Sequence, residues 1–247
     1  MIFKPENKMM NISYHYALSE SFFESALYTY SLLLSRIKYK NLDEVYLSNE
    51  PPLNQRDQCS IVCSTHLLSN SFENLLRSSI LLDDKSSSFG HHLYDRAKCL
   101  SSKILREYDK SLKDGYSIVK SFLGGSLGIF TIYPGTLEKM KEFGSLISLS
   151  KSLDEIKKHR IRDDSHNVIE ESVKDVRYKA EDINASHLVE YFSLIRIEAS
   201  LIQMVFLLRT NLVLYTECLN KLSLSDIQYQ SRTPLVSELI DSMRNPK

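Results

Sequence analysis

Long stretches of this chain contain neither glycine nor proline, and that scarcity constrains its fold more than any motif does. Only 7 Gly and 6 Pro occur among 247 residues, too few for the closely spaced turns of a β-sandwich or barrel. Helices need no such turns, so the sequence predicts an all-α fold, an antiparallel helical bundle. The glycines are also unevenly placed: five of the seven fall between Lys120 and Ser150, in SFLGGSLGIFTIYPGTLEKMKEFG. That segment predicts an inserted irregular stretch or short hairpin around Ile129 to Tyr133, then a helix near Leu137 to Phe143.

On either side of it, apolar residues recur at helical spacing. From Ser13 to about Tyr39 they fall at Leu18, Phe22, Ala26, Thr29 or Tyr30, Leu33 and Ile37, one buried stripe of a first helix. Pro51 and Pro52 end that element, because proline cannot continue the hydrogen-bond ladder. A second helix is predicted from Gln55 to about Leu82, with Leu68, Phe72, Leu75, Leu76 and Ser79 or Ile80 on its stripe. DDKSSSFGHH then reads as a loop, and a third helix follows from about Leu93 to Leu112. The run from about Asn184 to Leu222 carries Leu188, Phe192, Ile195, Ala199, Ile202 and Phe206 on one face. Unbroken, it would extend ~55 Å at ~1.5 Å per residue, a length at which a break is expected. Ser231, Thr233 and Pro234 introduce a last short helix to about Met243. We read one domain over 1–247, with its bundle core at about 11–114 and 173–222 and an insertion at about 120–170.

The bulk composition, 43% hydrophobic and 25% charged, is that of an ordinary globular chain. Lys+Arg and Asp+Glu balance at 31 each, so contact with nucleic acid would require a local basic patch. The most apolar run, SLIQMVFLLRTNLVLYTECL, contains Arg209, Asn211 and Glu217 and reads as a core helix, with no membrane partner expected. The N-terminus shows no continuous apolar segment of the secretory kind. Cys59 and Cys63 share a helix face, but no second CxxC or HxxxH follows. Together with Cys99 and Cys218 they read as buried reduced thiols, and the expected location is cytoplasmic. No Walker A lysine follows the glycines, no GxGxxG strand-turn-helix is present, and no GxSxG elbow occurs, so no cofactor is implied.

Two clusters carry the remaining chemistry. In HLLSNSFENLLRSSILLDD, His66 and Glu73 lie two turns apart on one face, and Glu73 and Arg77 are spaced to pair. Glu73 sits beside Phe72 and Leu75, next to the buried stripe, where a carboxylate needs a partner such as His91 or Arg96. His66, Glu73, Arg77 and His91 are therefore grouped as a structural polar cluster. The second cluster is KKHRIRDDSH, where Arg160 and His166 are six apart with Asp163 and Asp164 between them. A solvated, charged connection accounts for it as well as a reaction centre does. Its aspartates with His166 are a conceivable metal set, but adjacent carboxylates are commonplace in loops and no metal is assigned. Tyr14, Tyr16, Tyr28, Tyr30 and Tyr39 on the first helix fit half-buried or interface positions, and would stack bases if exposed.

The histidine before FENLLRSSILL and the GHHL that follows resemble the pattern of HEPN-like (higher eukaryotes and prokaryotes nucleotide-binding) domains. Arg77 stands where those domains usually carry lysine, and His92 where they carry aspartate. Arg177 and Tyr178, in VKDVRYKAE before the last long helix, are similar to an Arg-Tyr element of the family. The resemblance implies a helical bundle, often dimeric, and a metal-independent ribonuclease of toxin-antitoxin or antiphage defence systems. RNA and an antitoxin or defence protein are the implied partners. The family's arginine and histidine, with four to six residues between them, match Arg160 and His166, with Ile161 where a polar residue is usual. Lys158, Arg162, Arg177 and Tyr178 are the accompanying binding candidates. A histidine near neutral pKa suits proton transfer from an RNA 2'-hydroxyl, and an arginine suits phosphate charge. The competing expectation is a non-catalytic interaction or scaffold module whose partner carries the activity.

Overall fold

In a computed structural model of the chain, residues 5–37, 55–84, 92–158 and 183–221 are described. Among them are seven helices and one two-stranded hairpin: α1 (Pro5–Arg36), α2 (Gln55–Leu82), α3 (Leu93–Lys98), α4 (Ser102–Lys120), β1 (Ser126–Leu127), β2 (Phe130–Thr131), α5 (Pro134–Glu142), α6 (Leu146–Lys158) and α7 (Ile183–Lys221). The all-α expectation holds.

α1 and α2 lie antiparallel. Arg36 in the last turn of α1 donates through Nε to Asp57 Oδ1 (3.0 Å) in the first turn of α2, and Lys8 pairs with Asp84 at the opposite end. Midway, each of Ser19 and Ser71 donates its hydroxyl to the other's carbonyl oxygen at 2.7 Å, which requires two small residues where the backbones are closest. α1 starts eight residues before the expected Ser13, and its core stripe is Ile12, Tyr16, Ser19, Phe23, Ala26, Tyr30 and Leu33, while Leu18 and Phe22 are only half-buried. The stripe is displaced because both α2 and α7 pack on α1.

α7 is continuous over 39 residues, so the expected break does not occur. Between Leu194 and Leu208 only Arg196 is not buried, and a helix apolar on all sides is stabilised wherever neighbours surround it. Its segment Leu194–Lys221 is long and apolar enough to cross a membrane by length and composition, yet 72% of its most apolar stretch is buried against the bundle, as in a core helix.

The expected third helix is two. Ser101 caps α4 by accepting from Ile104 N–H (3.4 Å), and its own N–H donates to Asp83 Oδ2 (2.7 Å), so local side-chain bonds replace the continuing ladder. α4 also runs on past Leu112 to Lys120. Its Gly115 meets α7 so closely that a Cβ would lie 2.6 Å from Phe206 Cδ2. The glycine-rich segment forms the short β1–β2 hairpin, with Leu127 opposite Phe130. α5 and α6 follow and contribute Leu137, Met140, Leu146, Leu149 and Leu153 to the same core as α1 and α7. Full burial of such a side chain stabilises by about 1.5–3 kcal/mol.

Register among the helices is set by buried polar bonds. Asn211 of α7 accepts from Ser78 Oγ (2.9 Å) and donates to Ser79 Oγ (3.0 Å) and Tyr108 Oη (2.7 Å), joining α2, α4 and α7. Burial pushes the Tyr108 hydroxyl up to about 12, against the opposing pull of those bonds, so it remains a neutral donor and acceptor. Gln203 Nε2 donates to the carbonyls of Met140 (3.1 Å) and Phe143 (3.0 Å), satisfying the open end of α5.

Candidate functional site

A charged cluster forms where α1, α2, α3 and α6 meet. Glu73 projects from the edge of the α2 stripe, and its Oε1 accepts from Arg77 Nη2 at 2.8 Å, one turn away, and from Arg96 Nη2 of α3 at 3.3 Å. Arg77 remains about a third exposed at 37%, whereas Arg96 is buried. Burial lowers the Arg96 pKa, Glu73 opposes that shift, Arg77 adds to it and Asp154 opposes it. Asp154 of α6, also buried, accepts from the backbone N–H groups of Leu93 (3.0 Å) and Tyr94 (2.8 Å), so it caps α3 from another helix.

His15 of α1 completes the cluster. Its Nδ1 is 3.1 Å from Asn74 Oδ1; burial lowers its pKa, the Asn74 bond opposes this, and Arg77 and Arg96 lower it further. Burial and the two guanidinium groups together disfavour the charged imidazole. Neither His15 nor Asp154 was singled out from the sequence. The expected start of α1 at Ser13 left His15 in a frayed first turn, and Asp154 lay in a segment assigned no helix. The recurrence of Leu146, Leu149, Leu153 and Ile156 at three- and four-residue steps in LISLSKSLDEIKK is the signal that would have revealed α6.

Among the sequence candidates, the structure brings together Glu73, Arg77 and Arg96. His66 lies two turns earlier on α2, half-buried and ~10 Å along the axis. His91, Arg160, Arg162, His166, Arg177 and Tyr178 lie outside the described residues. Lys158 closes α6 one turn beyond Asp154. The thiols differ from expectation: Cys63 is exposed, and Cys59, Cys99 and Cys218 are half-buried, because they sit on helix flanks away from the core stripes. Among the described residues no group of His, Cys, Asp and Glu is arranged to hold a metal ion.

Breaking the Glu73 pair should be costly. Glu73→Gln removes the carboxylate from the buried Arg96 guanidinium, and urea unfolding is expected to show a loss of about 3 kcal/mol. Adding Arg96→Met should restore part of it, since the buried charge is then gone; a double variant less stable than Glu73→Gln would refute that account.

The second feature is a basic stripe. Lys103, Arg106, Lys110, Lys113 and Lys120 recur on α4 at three- and four-residue steps, apart from one doubled interval, and all are exposed. They cover ~25 Å of helix. Glu107 and Asp114 are displaced to one side, and the buried face opposite holds Ile104, Tyr108, Leu112 and Val119. Beside the stripe, α4 and the α5–α6 turn enclose a shallow depression of about 560 Å³, with Lys113, Tyr116, Lys141 and Ser145 on its walls. In a chain of zero net charge, this is the local concentration of cations that phosphate binding requires.

No protein-family model, curated protein or solved structure matches this chain.

Proposed function

We propose that the chain is an RNA-directed protein of the HEPN type, a cytoplasmic, metal-independent endoribonuclease acting as a toxin or an antiphage defence component. The observation that carries the reading is the α4 stripe: five cations on one face track a polyanion, and half-exposed Tyr116 beside them offers a stacking surface. In this reading Arg160 and His166 form the reacting pair, assisted by Lys158, Arg162, Arg177 and Tyr178. His166 takes the proton of a 2'-hydroxyl, the freed oxygen attacks the adjacent phosphorus, the bond to the 5'-oxygen breaks and that oxygen takes a proton from water, and the His166 imidazolium returns its own proton to solvent. A 2',3'-cyclic phosphate remains, and Arg160 offsets charge on the non-bridging oxygens.

Incubation with total RNA in excess chelator tests this. Wild-type protein should leave cyclic-phosphate ends, and folded Arg160→Ala and His166→Ala variants should each lose at least ~10²-fold of the rate. Cleavage that survives both substitutions would remove the pair from the mechanism. The competing reading, a non-catalytic module whose partner carries the activity, draws on the Glu73, Arg77 and Arg96 cluster, whose bonds are directed at one another. Absence of cleavage with retained RNA binding would favour it.

A further inference from the structure

Ten residues of α1 are exposed between Asn7 and Ser35 and none is charged, whereas seven of the nine exposed on α4 are. Along the centre of the α1 face Ala17, Ser21 and Ser25 form a trough ~12 Å long. Tyr14 at 61% exposure and Tyr28 at 66% bound its two ends. A solvated helix face ordinarily carries Lys and Glu, as that of α4 does, and a continuous uncharged stripe marks a surface that is covered.

The course of the chain supplies the cover. α7 runs antiparallel to α1, from Glu198 at Tyr30 to Cys218, whose Sγ is 3.9 Å from Met9 Sδ, and Met9, Ile12, Tyr215 and Leu219 share one buried cluster. The chain therefore leaves α7 at Lys221 beside the start of the uncharged face. Residues 222–247 lie outside the described residues, and the sequence predicts a short helix there over Pro234–Met243. At ~100° per residue Leu235, Val236, Leu239, Ile240 and Met243 fall on one side of that helix, and Ser237, Glu238, Asp241 and Ser242 on the other. So short a helix is marginal in water and needs an apolar partner. We propose that Pro234–Met243 folds back onto the outer face of α1 and lies in the trough between Tyr14 and Tyr28. Its length of ~15 Å fits the ~21 Å between those two tyrosines. Residues 222–233 reach up to ~40 Å, against ~21 Å from Asn7 to Ser21. The area buried by one short helix would hold a separate partner only weakly, whereas this tether keeps the segment at an effective concentration in the millimolar range. This inference stands apart from the RNA reading.

Amide hydrogen exchange on the full chain should be slowed at least ~10-fold over residues 234–243 relative to an unstructured peptide, at every protein concentration. Ser21→Arg should abolish that protection. Ser21 is exposed and arginine is a good helix former, so circular dichroism of the variant should be unchanged. In the reverse direction, Leu239→Asp should raise hydroxyl-radical labelling of Tyr14 and Tyr28 several-fold. Fast exchange throughout 234–243 would overturn the proposal. So would protection that survives Ser21→Arg, which places the segment elsewhere, and tyrosine labelling indifferent to Leu239→Asp, which leaves the face to another cover. Protection that appears only as protein concentration rises, or only with added lipid vesicles, would replace the fold-back with a second copy or a membrane.

Discussion

Unfolding free energy should fall by on the order of 3 kcal/mol as the pH rises from about 4.5 to about 7, relative to a Glu198→Gln variant measured in parallel. Glu198 lies in the middle of α7, only 1% exposed, and its two oxygens accept from Tyr30 Oη and Thr136 Oγ1, both at 2.9 Å. Among the described residues no cation forms an ion pair with it. Burial pushes its carboxyl up to about 7, and the two hydrogen bonds hold it back only in part. The same burial, with the neighbouring carboxyl, drives the Tyr30 hydroxyl well above its ordinary value, so Tyr30 stays a donor throughout this range.

The sign follows from the raised folded value. Below about 4.5 the group is neutral whether folded or unfolded, and its contribution is fully present. Between the two values the folded state holds a proton that the unfolded chain has released, so each increment of pH favours unfolding; above about 7 the loss is complete. His15 acts in the opposite sense. Its lowered folded value means that stability is gained as pH rises toward the ordinary histidine range. Subtracting the Glu198→Gln profile removes that contribution, because His15 is common to both proteins. A difference curve that is flat across the window would show that the carboxyl does not titrate there.

Affinity for single-stranded RNA should fall on the order of 10²-fold between 50 mM and 200 mM salt, with a slope of log K against log salt of about −3.5, if all five α4 cations neutralise phosphates. Replacing Lys103, Arg106, Lys110, Lys113 and Lys120 with Gln should bring the slope close to zero and remove most low-salt binding. All five side chains are exposed, so the thermal midpoint should move little. A quintuple variant that keeps the wild-type slope would place the polyanion surface elsewhere on the chain and would take away the observation on which the RNA reading rests.

The sequence displayed the elements whose pattern repeats. The scarcity of glycine and proline and the spacing of Phe72, Leu75 and Leu76 made the helical class and α2 readable, because a 3.6-residue repeat needs only the chain itself. Where local chemistry competes with the repeat, prediction slipped: Ser101 and Asp83 divide one expected helix into α3 and α4, and the burial of α7 on every side keeps it unbroken. The need of Glu73 for a partner was legible from its apolar neighbours, and Arg96 was one of the two it named. His15 and Asp154 were not legible, since they reach that cluster from helices that are remote in sequence.

By itself, then, the sequence determined the helical class, the core stripe of α2 and the requirement that a half-buried carboxylate be paired, because each follows from neighbours within a few turns. Only the tertiary structure decided that Glu198 would be enclosed by Tyr30 and Thr136, and that the face of α1 carrying Ser21 would be left outside while α2 and α7 cover the rest. Burial is a property of the neighbours that pack against a residue, and those neighbours here lie up to 168 positions away along the chain.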